Sequence, residues 1–322
     1  MKKNTLTYIL IIAIIAALIV MGNYFIKPRY DKETVNPYSL KIDSIGEIAA
    51  QNYCDVTSST INIRVNEAIA ITVDNNNNIY VSGDNKIIIY SPKGEKTNEF
   101  ATETTATALV MTEKNVLIAA FKNNVEVYSS EGKLIQKWSD LSEHAYITSV
   151  AVKNEKIYLA DAESALVYVY TLDGKLLKTI GNKVNKEELS SFILPSFYFD
   201  VAIGTDSTLW VANTGRHKLV NFNDAGEILY FWGETSSGVD GFCGCCNPSH
   251  FAIMNDGSFI TAEKGIVRVK KYSENGKFEC AIAGPKHFEQ GSTGLDIAIN
   301  SDNEILVLEP LGKKIHVFKL KK

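Results

Sequence analysis

An apolar run ending in an aromatic residue, a turn containing glycine and a further short run recur along this chain. The five clearest copies read IIIYSPKGEKTNEF, VEVYSSEGKLIQKW, VYVYTLDGKLLKTIG, LVNFNDAGEILYFWG and VKKYSENGKFECAIAG. Self-similarity at a period of roughly 40–50 residues marks a propeller or a solenoid, because each copy is one supersecondary unit that cannot bury its apolar faces alone.

Each complete unit carries four strand signals, short runs rich in Val, Ile, Tyr and Phe separated by Gly, Asn, Asp and Ser. Gly94, Gly132, Gly174, Gly226 and Gly276 fall where a tight hairpin calls for positive φ. Radial stacking of four-stranded antiparallel sheets buries both faces and leaves only short edges. Long helical patterns are absent after residue 30, which argues against folds built on parallel sheets. The units start near Ala68, Ala106, Ile147, Phe197, His250 and Gly294. The expected fold is therefore all-β, a six-bladed β-propeller preceded by one N-terminal transmembrane helix. The sixth unit stops at HVFKLKK, after its third strand. The segment Tyr38–Glu47 resembles the fourth strand KLLKTIGN of the third unit. It is expected to complete the last blade and so remove an open edge that would invite aggregation.

The stretch DSTLWVANTGRHKLVNFNDAGEILYFWG in the fourth unit resembles the pattern of the NHL-repeat family of six-bladed propellers. That pattern is a strand, Asn or Asp, a short loop, Arg or His, then Val-x-x-Phe-x-x-x-Gly. The third and fifth units follow it less closely, the first two weakly. The family includes peptide-amidating lyases, lactonase-like hydrolases and non-enzymatic binding scaffolds, so the resemblance implies a fold and leaves the function open.

The 322 residues are 45% hydrophobic and 22% charged, with a net charge of −4. There is no basic stripe or Arg-rich arm, and nucleic-acid binding has no support. No charged residue lies between Lys3 and Lys27, a span that fits the ~20 apolar residues needed to cross a bilayer. The expected organisation is a short cytoplasmic tail at residues 1–6, a transmembrane anchor at 7–26, a linker at 27–37 and the propeller at 38–322. Lys2 and Lys3 favour a cytoplasmic N-terminus, although Lys27, Arg29 and Lys32 blur the rule. The rival is a cleaved signal peptide, whose apolar core runs ~7–15 residues and ends at small residues. Here the run is longer and only Gly22 offers a small residue at its end. Either way the propeller is expected outside the cytoplasmic (inner) membrane, on the periplasmic side.

Five cysteines are present, and three of them crowd into GFCGCCNPSH between the fourth and fifth units. Thiolates suit soft metal ions, and His250 is close enough in sequence to join Cys243, Cys245 and Cys246 around one. The spacing matches no standard pair of zinc-binding CxxC units. The competing reading is a disulfide, with Cys280 or Cys54 as a partner. An odd cysteine count leaves at least one thiol unpaired.

Setting the units in register gives a second signal. Near the start of the innermost strand stand Ala70, Thr107, Ser149, Asp200, His250 and Asp296. At the end of the second strand stand Gly83, Ala120, Asp161, Asn213, Glu263 and Glu309. Both positions belong to one face of a propeller, so the polar members are expected to ring one half of a channel mouth beside the cysteine loop. Converging carboxylates and an imidazole can hold a divalent cation or act as general acid and base. The plain alternative is that Asp161 and Asn213 hydrogen-bond adjacent turns and that the channel residues are linked through water. The amidating lyases of the resembled family use several histidines around a metal, whereas only His250 is histidine at these positions. The lactonase-like members use Glu, Asn and Asp at a central metal, and Glu263, Asn213 and Asp200 are of those types.

Two functions follow as expectations. The first is a membrane-anchored module that binds a protein, peptide or glycan through its polar channel face. The second is an enzyme, metal-dependent or thiol-redox, using Asp200, His250 and Asp296 with the Cys243–Cys246 loop and a divalent or thiophilic metal ion.

Overall fold

The computed structural model describes residues 47–138, 141–181 and 189–321. Strand β1 is Val56–Asn62. The first blade contains β2 (Ala68–Val73), β3 (Ile79–Gly83), β4 (Lys86–Tyr90) and β5 (Lys96–Ala101). The second contains β6 (Ala108–Met111), β7 (Val116–Ala120), β8 (Val125–Ser129) and β9 (Leu134–Lys137). The third contains β10 (Ile147–Lys153), β11 (Lys156–Asp161), β12 (Leu166–Thr171) and β13 (Leu176–Ile180). The fourth contains β14 (Val201–Ile203), β15 (Leu209–Asn213), β16 (Lys218–Phe222) and β17 (Ile228–Trp232). The fifth contains β18 (His250–Ile253), β19 (Phe259–Ala262), β20 (Val269–Tyr272) and β21 (Phe278–Ala283). The sixth contains β22 (Asp296–Ile299), β23 (Ile305–Glu309) and β24 (Lys314–Leu320), completed by β1. The result is the expected all-β, six-bladed propeller of four-stranded antiparallel sheets.

Burial explains the repeat. The second strand of a blade has blade neighbours on both faces, and β3, β15 and β23 are buried at every residue. Apolar side chains fill the spaces between blades. Val167, Val169 and Ile180 of the third pack with Val201, Val211, Val220 and Phe222 of the fourth. Each such side chain contributes roughly 1.5–3 kcal/mol through burial. The outermost strands face water, and β5 is mostly exposed.

The turn glycines have a packing reason besides their backbone. Gly132 (φ +89°) leaves no room for a Cβ, which would sit 2.1 Å from Phe100 at the end of the preceding blade's outer strand. Gly276 meets Trp232 in the same way, at 2.3 Å. The hairpin of one blade thus lies on the apolar end of the outer strand before it.

Ring closure is by an N-terminal strand, as expected, but the segment is different. Strand β1 pairs antiparallel with β24 from Val56↔Leu320 to Asn62↔Lys314. The assignment of this strand to Tyr38–Glu47 is therefore corrected; residues 38–46 lie outside the described residues, and Glu47 is exposed. An outermost strand faces solvent and needs few apolar residues, so VTSSTIN serves. Its Ile61 lies under Gly94 of the first blade, where a Cβ would come within 2.8 Å. Ile61 thus does for the last blade what Phe100 and Trp232 do for theirs. No helix among the described residues is long and apolar enough to cross a membrane, and the expected anchor at 7–26 lies outside them.

Candidate functional site in the channel

The first strands of all six blades surround a central cavity of about 320 Å³. Thr107, Ser149, Asp200, His250 and Asp296 of the registered set line it, together with Ile71. Three of them meet. His250 Nδ1 lies 3.6 Å from Asp200 Oδ2 and 3.6 Å from Asp296 Oδ1, so one imidazole stands between two carboxylates. Its Nε2 has no hydrogen-bond partner among the described residues.

The carboxylates are held by the backbone of neighbouring blades. Asp200 accepts the Phe251 N–H at 2.7 Å, the Val201 N–H at 2.9 Å and the Ser149 hydroxyl at 2.5 Å. Asp296 accepts the Ile71 N–H and the Ile297 N–H, both at 2.8 Å. Each acid joins its own blade to the next one. Burial works against a charged His250, but the hydrogen bond and charge of Asp200 and the charge of Asp296 outweigh it and raise its pKa above the ordinary 6.5. Asp296 is pushed up to about 6, by burial first and the charge of Asp200 second. Tyr198 packs against His250 in a T-shaped contact with ring centroids 6.0 Å apart, and Lys264 Nζ lies 4.7 Å from the Tyr198 ring centre.

The second registered set does not join this cluster. Asn213, Glu263 and Glu309 are buried at the ends of their strands and do not line the cavity. Asn213 accepts the Ile193 N–H at 2.9 Å and donates to the carbonyls of Leu189 and Ser191. Glu309 accepts the Glu289 N–H, the Ser292 hydroxyl and His316 Nε2. Asp161 accepts the Tyr146 and Glu163 N–H groups. These residues clamp the connections that enter their blades and do not line the cavity, and the bond from Glu163 to Asp161 is the adjacent-turn hydrogen bond expected as the plain alternative for that residue. Buried loop backbone must find partners, and a long polar side chain at a strand end supplies them.

Glu263 does this indirectly. It takes Arg268 through both oxygens, at 3.1 and 2.7 Å, and Lys270 at 2.7 Å. Those cations then hold the cysteine loop: Arg268 donates to the Gly238 carbonyl and Lys270 to that of Gly241. Burial pulls Lys270 down to about 8. The sequence reading missed this cluster, although alternating charge in GIVRVKKY, within a strand expected to be apolar, was the available signal.

Cys280 is not part of the loop. It pairs with Cys54, joining the segment before β1 to β21 with a Cα–Cα distance of 5.1 Å. Cys243, Cys245 and Cys246 are free thiols, respectively half-buried, exposed and buried. Cys246 Sγ lies 3.3 Å from Cys245 Sγ and 2.7 Å from Ser196 Oγ. The partners of His250 are Asp200, Asp296 and Tyr198, and no hydrogen bond joins it to these thiols. Among the described residues no group of three or more His, Cys, Asp and Glu side chains is arranged to hold a metal ion.

No family model and no curated protein matches the chain. Solved structures do resemble it. Virginiamycin B lyase from Staphylococcus aureus is similar with a TM-score of 0.56 at 14% identity, covering 83% of this chain and 100% of that one. A protein of unknown function from Bacteroides thetaiotaomicron has a TM-score of 0.60 at 13% identity, covering 83% and 77%. The WD40 propeller domain of Doa1 has a TM-score of 0.54 at 14% identity, covering 79% of each. At these identities the likeness concerns the fold.

Proposed function

We propose that this propeller is a binding module that takes a polar ligand, a peptide, a glycan or an exposed segment of a protein, at the channel face over His250. The observation that carries this reading is the single imidazole fixed between two carboxylates in a cavity all six blades line. Asp200 and Asp296 are already engaged by backbone N–H groups, which suits them to positioning His250 more than to reacting. The NHL-like pattern of the fourth unit is consistent with such a module, and the apolar run at 7–26 would anchor it to the cytoplasmic membrane with the propeller on the periplasmic side. The Cys54–Cys280 bond supports that placement, since disulfides persist in oxidising compartments.

A second reading is catalysis by His250 as general acid or base. It is favoured by the similar fold of a catalytically inactive histidine-to-alanine variant of virginiamycin B lyase, described with quinupristin. One experiment addresses both. The purified full chain and its His250→Ala variant are screened by thermal shift against a panel of peptides and oligosaccharides, with quinupristin included. Binding at the channel predicts compounds that raise the melting temperature of the parent alone. Compounds that shift both proteins equally would overturn it. Conversion of quinupristin by the parent and not by the variant would establish the second reading.

A further inference from the structure

The cysteine loop carries a feature that the channel reading does not use. Cys245 is exposed and Cys246 is buried, yet their sulfurs lie 3.3 Å apart. Cys246 also contacts Ser196 Oγ at 2.7 Å, and Lys264 Nζ donates to the same hydroxyl at 3.2 Å. The loop is held rigidly around the pair. Asn247 bonds the Cys243 carbonyl and both the N–H and the carbonyl of Lys264, and His217 Nε2 bonds the Gly244 carbonyl at 2.5 Å. One thiol is therefore open to solution, and a second waits behind it where no external reagent reaches.

We propose that Cys245 and Cys246 form a thiol–disulfide exchange site, with Cys245 the attacking sulfur, Cys246 the resolving one and a small-molecule disulfide the oxidant. In the first step the Cys245 thiolate attacks one sulfur of the external disulfide. A Cys245–SR bond forms, the S–S bond breaks, and the departing thiolate takes a proton. In the second step the Cys246 thiolate attacks Cys245 Sγ, forming the Cys245–Cys246 bond and releasing the other RSH. The pair loses two electrons and two protons, and the external disulfide gains both as two thiols.

Two properties suit the pair to this role. The hydrogen bond from Cys246 and the charge of Lys264 hold the Cys245 thiol below its ordinary pKa, while burial pushes Cys246 up. Adjacent Cα atoms are ~3.8 Å apart across a trans peptide, shorter than the usual ~4.4–6.8 Å of a disulfide. The oxidised pair is therefore strained and easily reduced, which makes the change reversible, whereas Cys54 and Cys280 pair at an ordinary 5.1 Å.

The test uses the purified full chain carrying Cys243→Ser, so that only the pair is free, and dithiobis(nitrobenzoate) as the aromatic disulfide. The expected result is release of two aromatic thiols per chain, with no retained adduct and a mass lower by two hydrogens. Adding Cys246→Ser should stop the reaction at one thiol released, with the adduct retained on Cys245. Adding Cys245→Ser should slow the reaction at least about tenfold. A stable adduct on Cys245 while Cys246 is present would overturn the proposal. So would equal rates with and without Cys245. If Cys246→Ser fails to fold by circular dichroism, the mass of the oxidised parent decides the question.

Discussion

Asp296 accepts the backbone N–H of Ile71 at 2.8 Å, across the junction where the sixth blade meets the first. Its other oxygen faces His250. A single carboxylate therefore ties the ends of the ring together and shapes the channel. Asp200 repeats the device between the fourth and fifth blades through Phe251.

Removing either acid should weaken the ring. Asp296→Ala leaves the Ile71 and Ile297 N–H groups without their acceptor and should cost about 1.5–3 kcal/mol, the range for hydrogen bonds to charged groups. Asp200→Ala, which strands three donors, should cost at least as much. Urea unfolding measures both, and Asp296→Asn should cost less because an amide oxygen still accepts one bond.

The pair should also mark the pH dependence of stability. Asp296 is held at about 6 against an ordinary 3.8, so the native state keeps a proton that the unfolded chain has lost. The stabilisation of the wild type relative to Asp296→Asn is thus full below 3.8 and disappears as the pH rises through about 6. His250, raised above 6.5, acts with the same sign at higher pH, contributing most below 6.5 and losing that contribution as it deprotonates. Unfolding curves for wild type, Asp296→Asn and His250→Gln across this range, with a proton NMR titration of His250, check the assignment. A His250 that titrates below 6.5 would contradict it.

The Cys54–Cys280 bond spans 226 residues. In the chain-entropy account, closing so long a loop restricts the unfolded chain and stabilises the fold by about 5 kcal/mol. Cys54→Ser with Cys280→Ser should lower the denaturation midpoint accordingly, and a reductant should then have no further effect on stability.

Strand β1 should be required for a closed ring. A chain starting at residue 63 exposes the β24 edge and should aggregate or lose its cooperative melting transition. The milder Ile61→Ala change removes the contact with the Gly94 hairpin and should cost about 1–2 kcal/mol, since the side chain is half-buried.

Glu263 balances two buried cations, Arg268 and Lys270. Glu263→Gln leaves them uncompensated and should cost about 3–5 kcal/mol. Because Arg268 and Lys270 hold the cysteine loop, this variant should also increase protease cleavage between residues 234 and 249 under native conditions.

Blade count, hairpin glycines and the positions of Asp200, His250 and Asp296 were legible in the linear order because each is local. A strand pattern and its turn lie within one unit, and equal register in successive units places residues around one axis. The Asn213, Glu263 and Glu309 set was registered along the chain, but its partners were not legible there. Whether a strand-end carboxylate meets the channel or the backbone of an entering loop depends on how that loop packs, and loop packing has no period. Strand β1 was missed for a related reason, since an outermost strand carries little apolar signal and its one clue is Ile61 beneath Gly94.

The sequence by itself determined a ring of six four-stranded blades, because apolar periodicity and turn chemistry act over a few residues and repeat. Only the tertiary structure decided which strand closes the ring, that Cys54 pairs with Cys280, and that Cys245 and Cys246 stand together as thiols. Those outcomes join residues far apart in the chain or turn on the exposure of one side chain. They are set by the distances and burial that exist only once the blades have packed.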